Sequence, residues 1–245
     1  MTHTPARIRV GTSGWSYDHW RGSFYPEDLP DERRLEYYAK HFQSVEINNS
    51  FYHLPDQETL HQWRNIVPDD FLFTAKGSRY ITHMKKLKDP GRSVTAFLER
   101  ISLLEKKLGP ILFQLPPRWR FNEQRLAAFL DALSRKFRYA FEFRDRSWLN
   151  DKTYEMLSEH DAAFCIYELA GFLSPREVTT DFVYVRLHGP GGPYQGSYDS
   201  RALLGWAGAF STWLAQGRNI YCYFDNDQAG YAAKNALGLQ AMLQG

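Results

Sequence analysis

The sequence is short of the features that would take it out of water. No run of about eighteen apolar residues, the length of a membrane-spanning helix, occurs among its 245 residues. Residues Met1 to Arg9 lack the apolar segment of a secretory signal. No membrane contact is expected, and the expected compartment is cytoplasmic. Cysteine is scarce: Cys165 and Cys222 both fall inside strand-like runs and are not at a CxxC spacing. That argues against a disulfide framework and a cysteine zinc site, and it predicts two buried free thiols. An excess of one charge is missing too, since 30 Lys and Arg against 28 Asp and Glu leave a formal +2. So small a charge does not demand nucleic acid or an anionic membrane as partner. No linker, charge block or low-complexity stretch interrupts the chain, so residues 1–245 are read as a single domain.

What is abundant is aromatic side chains, 16% of the chain, within a hydrophobic share of 43%. Not all of these rings fit a core, so some are expected at a pocket where bases, sugars or guanidinium groups stack. Short runs rich in Val, Ile, Phe and Tyr begin near Ile8, Ser44, Phe71, Pro110, Tyr139, Ala163, Phe182 and Asn219. Stretches at helical spacing alternate with them: Arg33 to His41, Gln57 to Asn65, Val94 to Leu108, Glu123 to Leu133, Lys152 to Glu159, Leu203 to Gln216 and Ala232 to Leu243. Asn122 and Asp151 stand where N-caps belong. Strand and helix in alternation, over a length close to the roughly 250 residues of a (β/α)₈ barrel, point to the TIM-like class of α/β folds. The segment from Leu169 to Asp181, with Gly171 and Pro175, is too short for a helix and two loops. The sixth helix is therefore expected to be shortened or missing. An open doubly wound sheet is the alternative, but no GxGxxG follows the first strand.

Both faces of a barrel strand are buried, so polar residues near a strand's end belong to its axis-facing parity. In the second strand Glu46 and Asn48 oppose Val45 and Ile47. In the fifth, Glu142 and Arg144 oppose Phe141 and Phe143, and in the seventh Arg186 and His188 oppose Val185 and Leu187. Lys76, Gln114 and Asp225 end the third, fourth and eighth strands. The C-terminal strand ends are where barrel enzymes carry their chemistry. Glu142, Glu46 and His188 are the candidate acid–base groups. Lys76, Arg144, Arg186, Asn48, Gln114 and Asp225 are the candidate binding groups for a small polar or anionic substrate, joined by Trp15 and Tyr17 of the first loop and by Trp148. Three other readings stand beside this one. The charges form a structural ion-pair network; Glu46, Glu142, Glu168, His188 and Asp225 take a divalent metal such as Mn, Mg or Zn; or Glu46 and Glu142 are a glycosidase pair. No spacing motif supports the metal, and no cofactor is predicted.

The first loop, from Gly11 to Pro26, carries Ser13, Trp15, Ser16, Tyr17, His19 and Trp20 and is expected above the strand ends. After the seventh strand, Gly189, Gly191, Gly192 and Gly196 with Tyr194 and Tyr198 make a loop that is either a lid or a rigid turn. Arg79, His83, Lys85, Lys86, Lys88 and Arg92 form a basic run after the third strand. Beside exposed rings such a run could guide a nucleic-acid strand, which makes nucleic acid the alternative partner.

Several long strings, GTSGWSYDHWRGSFYP from Gly11, VEINNSFYHLP from Val45, GPILFQLPPRW from Gly109, YAFEFRDRSW from Tyr139, FVYVRLHG from Phe182 and YFDNDQAGYAAKNA from Tyr223, resemble the YecE-like family, domain of unknown function 72 (DUF72). The likeness spans nearly the whole chain and implies a TIM-barrel fold. It implies no established activity; members have been compared on fold alone with metal-dependent sugar isomerases and apurinic endonucleases, and nucleic-acid binding has been suggested. Two departures raise local negative charge. Phe224, Asp225, Asn226 and Asp227 stand where relatives often show Phe-Asn-Asn, and Glu168 stands where Asp is usual. The functional expectation is an acid–base enzyme of hydrolase type, acting on a phosphate- or sugar-containing substrate. A non-catalytic nucleic-acid binder is the competing class, and no oligomeric state follows from the residues.

Overall fold

The computed structural model describes residues 6–244. Nine strands occur in it: β1 (Ile8–Thr12), β2 (Ser44–Ile47), β3 (Leu72–Lys76), β4 (Leu108–Leu115), β5 (Tyr139–Phe143), β6 (Ala162–Leu169), β7 (Phe172–Leu173), β8 (Phe182–Leu187) and β9 (Asn219–Phe224). Between them run α1 (Arg34–Tyr38), α2 (Gln57–Ile66), α3 (Pro90–Ile101), α4 (Glu123–Asp131), α5 (Asp151–Glu159) and α6 (Ser200–Ala215), and α7 (Tyr231–Gln244) follows β9. Eight parallel strands alternating with helices make this a TIM-like (β/α)₈ fold. The ninth, β7, is a two-residue strand antiparallel to β6. The seventh and eighth strands of the sequence reading are therefore β8 and β9.

The chain is organised as two compact units. One holds Met1–Val45, Ile166–Ser174 and Asp181–Gly245; the other holds Glu46–Cys165 and Pro175–Thr180. In the first unit the strand order is β1-β9-β8-β6, with Ile8–Thr12 in register with Ile220 through Phe224, and Phe182–Leu187 with Asn219–Phe224. Backbones approach closely here: a Cβ on Gly11 would lie 2.1 Å from the Ser44 carbonyl oxygen, so only glycine fits. In the second unit the order is β6-β5-β4-β3-β2, with Ile111 through Leu115 opposite Tyr139–Phe143.

Much of the aromatic surplus lies in the core. Phe113 meets Phe129 of α4 edge-on at 5.0 Å, and the Phe143 ring stacks on Trp148 at 5.0 Å and on Phe164 at 6.1 Å. Burial of rings this large supplies a dominant part of the folding free energy. Both cysteines are buried free thiols.

The shortened sixth helix is observed as no helix at all between β6 and β8 among the described residues. Side-chain oxygens take its place locally: Phe164 N–H donates to Thr179 Oγ1 at 2.8 Å, and Tyr167 N–H to Ser174 Oγ at 2.9 Å. Helix ends differ from expectation in several places, three of them with a local cause or consequence. Asp151 is the first helical residue and not the cap, because Asn150 Oδ1 accepts the Thr153 N–H at 3.0 Å. The third helix starts four residues early, at Pro90, whose fixed φ suits a first turn. It ends at Ile101 and tightens into a 3₁₀ segment, Ser102–Lys107, interrupted by Glu105 at φ 51°. The first helix shrinks to Arg34–Tyr38.

Candidate functional site

Each unit carries polar residues at its strand ends. In the first, β8 delivers Arg186 and His188, β9 delivers Asp225, and the loop after β1 delivers Ser13. Arg186 and His188 are fully buried, as the parity of β8 requires. Asp225 Oδ2 is the hub: it lies 3.0 Å from His188 Nδ1 and accepts from Arg186 Nη2 at 3.1 Å. The same Nη2 donates to Ser13 Oγ at 3.2 Å. The other ring nitrogen, His188 Nε2, stands 3.4 Å from Arg186 Nη1. A carboxylate on Nδ1 and a guanidinium N–H facing Nε2 fit the neutral tautomer that carries its proton on Nδ1.

Two loops cover this set. Tyr194 presents its ring edge-on to His188 at 5.5 Å and is itself 46% exposed. Its loop is tied down at both ends. Gly189 N–H donates to Tyr198 Oη at 3.0 Å, and Asn235 of α7 binds Tyr198 N–H, Tyr198 O and Ser197 Oγ at 3.0–3.1 Å. Asn226 Nδ2 adds to this tie by donating to Asn235 Oδ1 and to Gly196 O, both at 2.8 Å. In the first loop Trp20 is fully buried and donates Nε1–H to Asp227 Oδ1 at 2.7 Å, while His19 Nε2 lies 2.9 Å from Asp227 Oδ2. Burial pushes the Asp227 carboxyl up to about 6, against the lowering effect of Trp20 and His19 and with help from the Asp225 charge. Tyr17 packs on Trp20 at 5.1 Å and donates to the Ser13 carbonyl at 2.6 Å; Trp15 is buried.

In the second unit Glu142 of β5 is fully buried and in close contact with the Arg144 guanidinium. Gln114 pairs in register with Glu142, and its buried Oε1 has no hydrogen-bond partner among the described residues. Cys165 Sγ lies 3.9 Å from Glu142 Oε2. The Lys76 ammonium stands 4.4 Å over the Phe51 ring, whose edge meets His83 at 5.0 Å. Burial, together with the positive charges of Lys76, Arg79 and Arg144, pushes His83 down to about 4, so its imidazole is neutral at pH 7. Glu46 is fully buried, and the buried Oδ1 of Asn48 has no partner among the described residues.

The sequence-predicted residues thus fall into the set Arg186, His188 and Asp225, with Trp15 and Tyr17 in the loop beside it, and the set Glu46, Asn48, Lys76, Gln114, Glu142 and Arg144. Trp148 stands apart: fully buried, its Nε1–H given to the Trp119 carbonyl at 2.6 Å, it is part of the aromatic core. Among the described residues no three His, Cys, Asp or Glu side chains converge as metal ligands. Sequence reasoning missed Asp227 as a neighbour of the first set and Asn235 as the tie of the loop, while Ser13 belongs to the first loop expected above the strand ends. The FDND string signalled Asp227; nothing local marks Asn235.

The model of the family described as "Protein of unknown function DUF72" matches residues 9–245. UPF0759 protein YecE of Escherichia coli (strain K12) is 36% identical over 140 residues, which cover 56% of this chain and 48% of that protein, so the match spans about half the relative's length. UPF0759 protein YunF of Bacillus subtilis (strain 168) is 26% identical over 270 residues, covering 96% of this chain and 94% of that one. Among solved structures, a DUF72 family protein from Thermotoga maritima superposes with a TM-score of 0.88 at 31% identity, over 98% of this chain and 100% of that one. With the family model matched from the first strand through the last helix, the chain belongs to the DUF72 family.

Proposed function

We propose that the protein is an acid–base enzyme of hydrolase type, in which His188 moves the proton, Asp225 fixes its tautomer and Arg186 holds negative charge on a phosphate- or sugar-containing substrate. The observation that carries this reading is the contact of His188 Nδ1 with Asp225 Oδ2 at 3.0 Å. A carboxylate on Nδ1 stabilises the imidazolium, and Nε2 becomes the atom that takes a proton from an attacking water once a bound anion draws the Arg186 guanidinium away from it. Arg186 sits where charge on a bound anion is neutralised, and Ser13 Oγ beside it offers a further polar contact. His188 has no exposed surface, so substrate entry requires the Tyr194 loop to lift. Glu142 against Arg144 is the competing proton-transfer group, in the other unit.

The test pairs binding with turnover. Wild-type protein is screened by thermal shift and by release of p-nitrophenol from phosphomonoester, phosphodiester and glycoside probes. The compound turned over should lose about 10²–10⁴ in rate with His188→Gln. A comparable loss in Asp225→Asn and not in Glu142→Gln assigns the proton to the first set. Unchanged turnover in His188→Gln removes this histidine from the reaction. A protein that neither turns over nor is stabilised by any of these probes removes the enzyme reading.

A further inference from the structure

Away from both sets, the second unit holds an open cavity of about 480 Å³ beside the segment Tyr80–Met84 and helix α3. Its floor is apolar, made by Ile81 and Phe97, with Leu54 and Ala96 on the walls. Tyr80, Lys85 and Arg92 stand around it, and no Asp or Glu lines it. The size falls within the range of small-molecule sites, and an apolar floor with a few placed charges is their usual composition. Arg92 makes no ion pair among the described residues, while Lys85 Nζ donates only to a backbone oxygen, that of Asp89, at 3.1 Å. The cavity is therefore a hydrophobic cleft with cations and no counter-ion of its own.

The surrounding backbone is unusual in the same place. Tyr80–Met84 is a π-helix, a form concentrated at functional sites. Lys86, Leu87 and Asp89 all take positive φ, at 47°, 63° and 45°, a conformation that L residues keep only when their surroundings enforce it. Of the residues lining the cavity Tyr80 is itself 50% exposed, and Met84, at the end of the same π-helix, is 70% exposed.

We propose that this cavity binds a small organic anion with an aromatic body, its ring against Ile81 and Phe97 beside Tyr80 and its carboxylate or phosphate held by Arg92 and Lys85. A ring supplies the apolar area that the floor can cover, and a guanidinium beside an ammonium suits an oxyanion. The site is independent of the chemistry at His188.

Calorimetric titration of the whole protein with phenyl phosphate and with phenylacetate tests this, with inorganic phosphate and benzyl alcohol as the charge-only and ring-only controls. At least one ringed anion should bind better than either control, and the tighter of the two names the head group. Arg92→Ala should weaken it about 10-fold. Ala96→Phe, which fills the cleft from an exposed helix position, should abolish binding while leaving the melting temperature near that of wild type. Failure of both ringed anions to bind at millimolar concentration overturns the proposal. So does equal affinity in the two variants, or equal affinity for inorganic phosphate. Binding of a dT₁₂ oligonucleotide without binding of either probe also overturns it and assigns the face to nucleic acid.

Discussion

Asp227 sets a pH dependence that can be worked out from its surroundings. Its carboxyl accepts from the indole of fully buried Trp20 and faces His19, yet burial and the charge of Asp225 raise it from its ordinary value of 3.8 to about 6. Between those two values the folded protein keeps a proton that the unfolded chain has released. Stability contributed by this group is therefore full below about pH 4 and is lost as pH rises through about 6. A shift of that size corresponds to at most about 3 kcal/mol, and solvent reaching the site reduces it to about 1–2 kcal/mol. Asp227→Asn keeps an acceptor for the Trp20 indole and removes the titration. Melting curves of both proteins from pH 4 to 7.5 should show the variant gaining on wild type by about 2–8 °C across the interval, mostly between pH 4 and 6. Trp20 emission should titrate over the same range in wild type only. A melting difference that stays constant with pH refutes the reasoning.

The loop over His188 offers three further checks. Asn235→Ala removes the side-chain bonds to Ser197, Tyr198 and Asn226 and should cost about 2–4 kcal/mol, with faster proteolysis within residues 190–197; an unchanged cleavage rate would show that Asn235 does not hold the loop. Gly189→Ala puts a Cβ 2.2 Å from the Gln195 carbonyl oxygen at a φ of 109°, so destabilisation of about 1–3 kcal/mol is expected by denaturant unfolding. Tyr194→Ala uncovers His188, and diethyl pyrocarbonate should then modify that ring at least several-fold faster, read by mass spectrometry of the peptide containing it. Elsewhere, a thiol reagent should find no reactive cysteine in the native protein and two in denaturant, since Cys165 and Cys222 are buried and burial raises the Cys222 thiol well above its ordinary range.

How much of this was legible in the residues depended on whether a local rule governed them. Alternation along β5 and β8 put Glu142 with Arg144 and Arg186 with His188 on shared faces, and each of these pairs is in contact. Asn122 was readable as a cap for the same reason, while Asp151 and Asn150 are both good caps and only the bond to Thr153 decides between them. The π-helix at Tyr80–Met84 and the left-handed run at Lys86, Leu87 and Asp89 have no such signal. No glycine marks them, and contacts such as Arg125 Nη1 to the Lys86 carbonyl, at 3.1 Å, come from distant parts of the chain. Trp148 misled through composition: a tryptophan after a strand suits a binding site, but its ring is claimed by Phe143 and its N–H by Trp119. Trp20, expected above the strand ends, is buried against Asp227, a residue more than two hundred positions away.

Because Asn235 belongs to the last helix, the loop that covers His188 cannot be locked until that helix has been made and docked. During synthesis His188 emerges 47 residues before Asn235, the group that ties its cover. A chain stalled before α7 would carry the Arg186, His188 and Asp225 cluster with its cover untied. The fold thus couples the making of α7 to enclosure of the charged centre, and a lesion at Asn235 would be felt first as a leak of water onto His188.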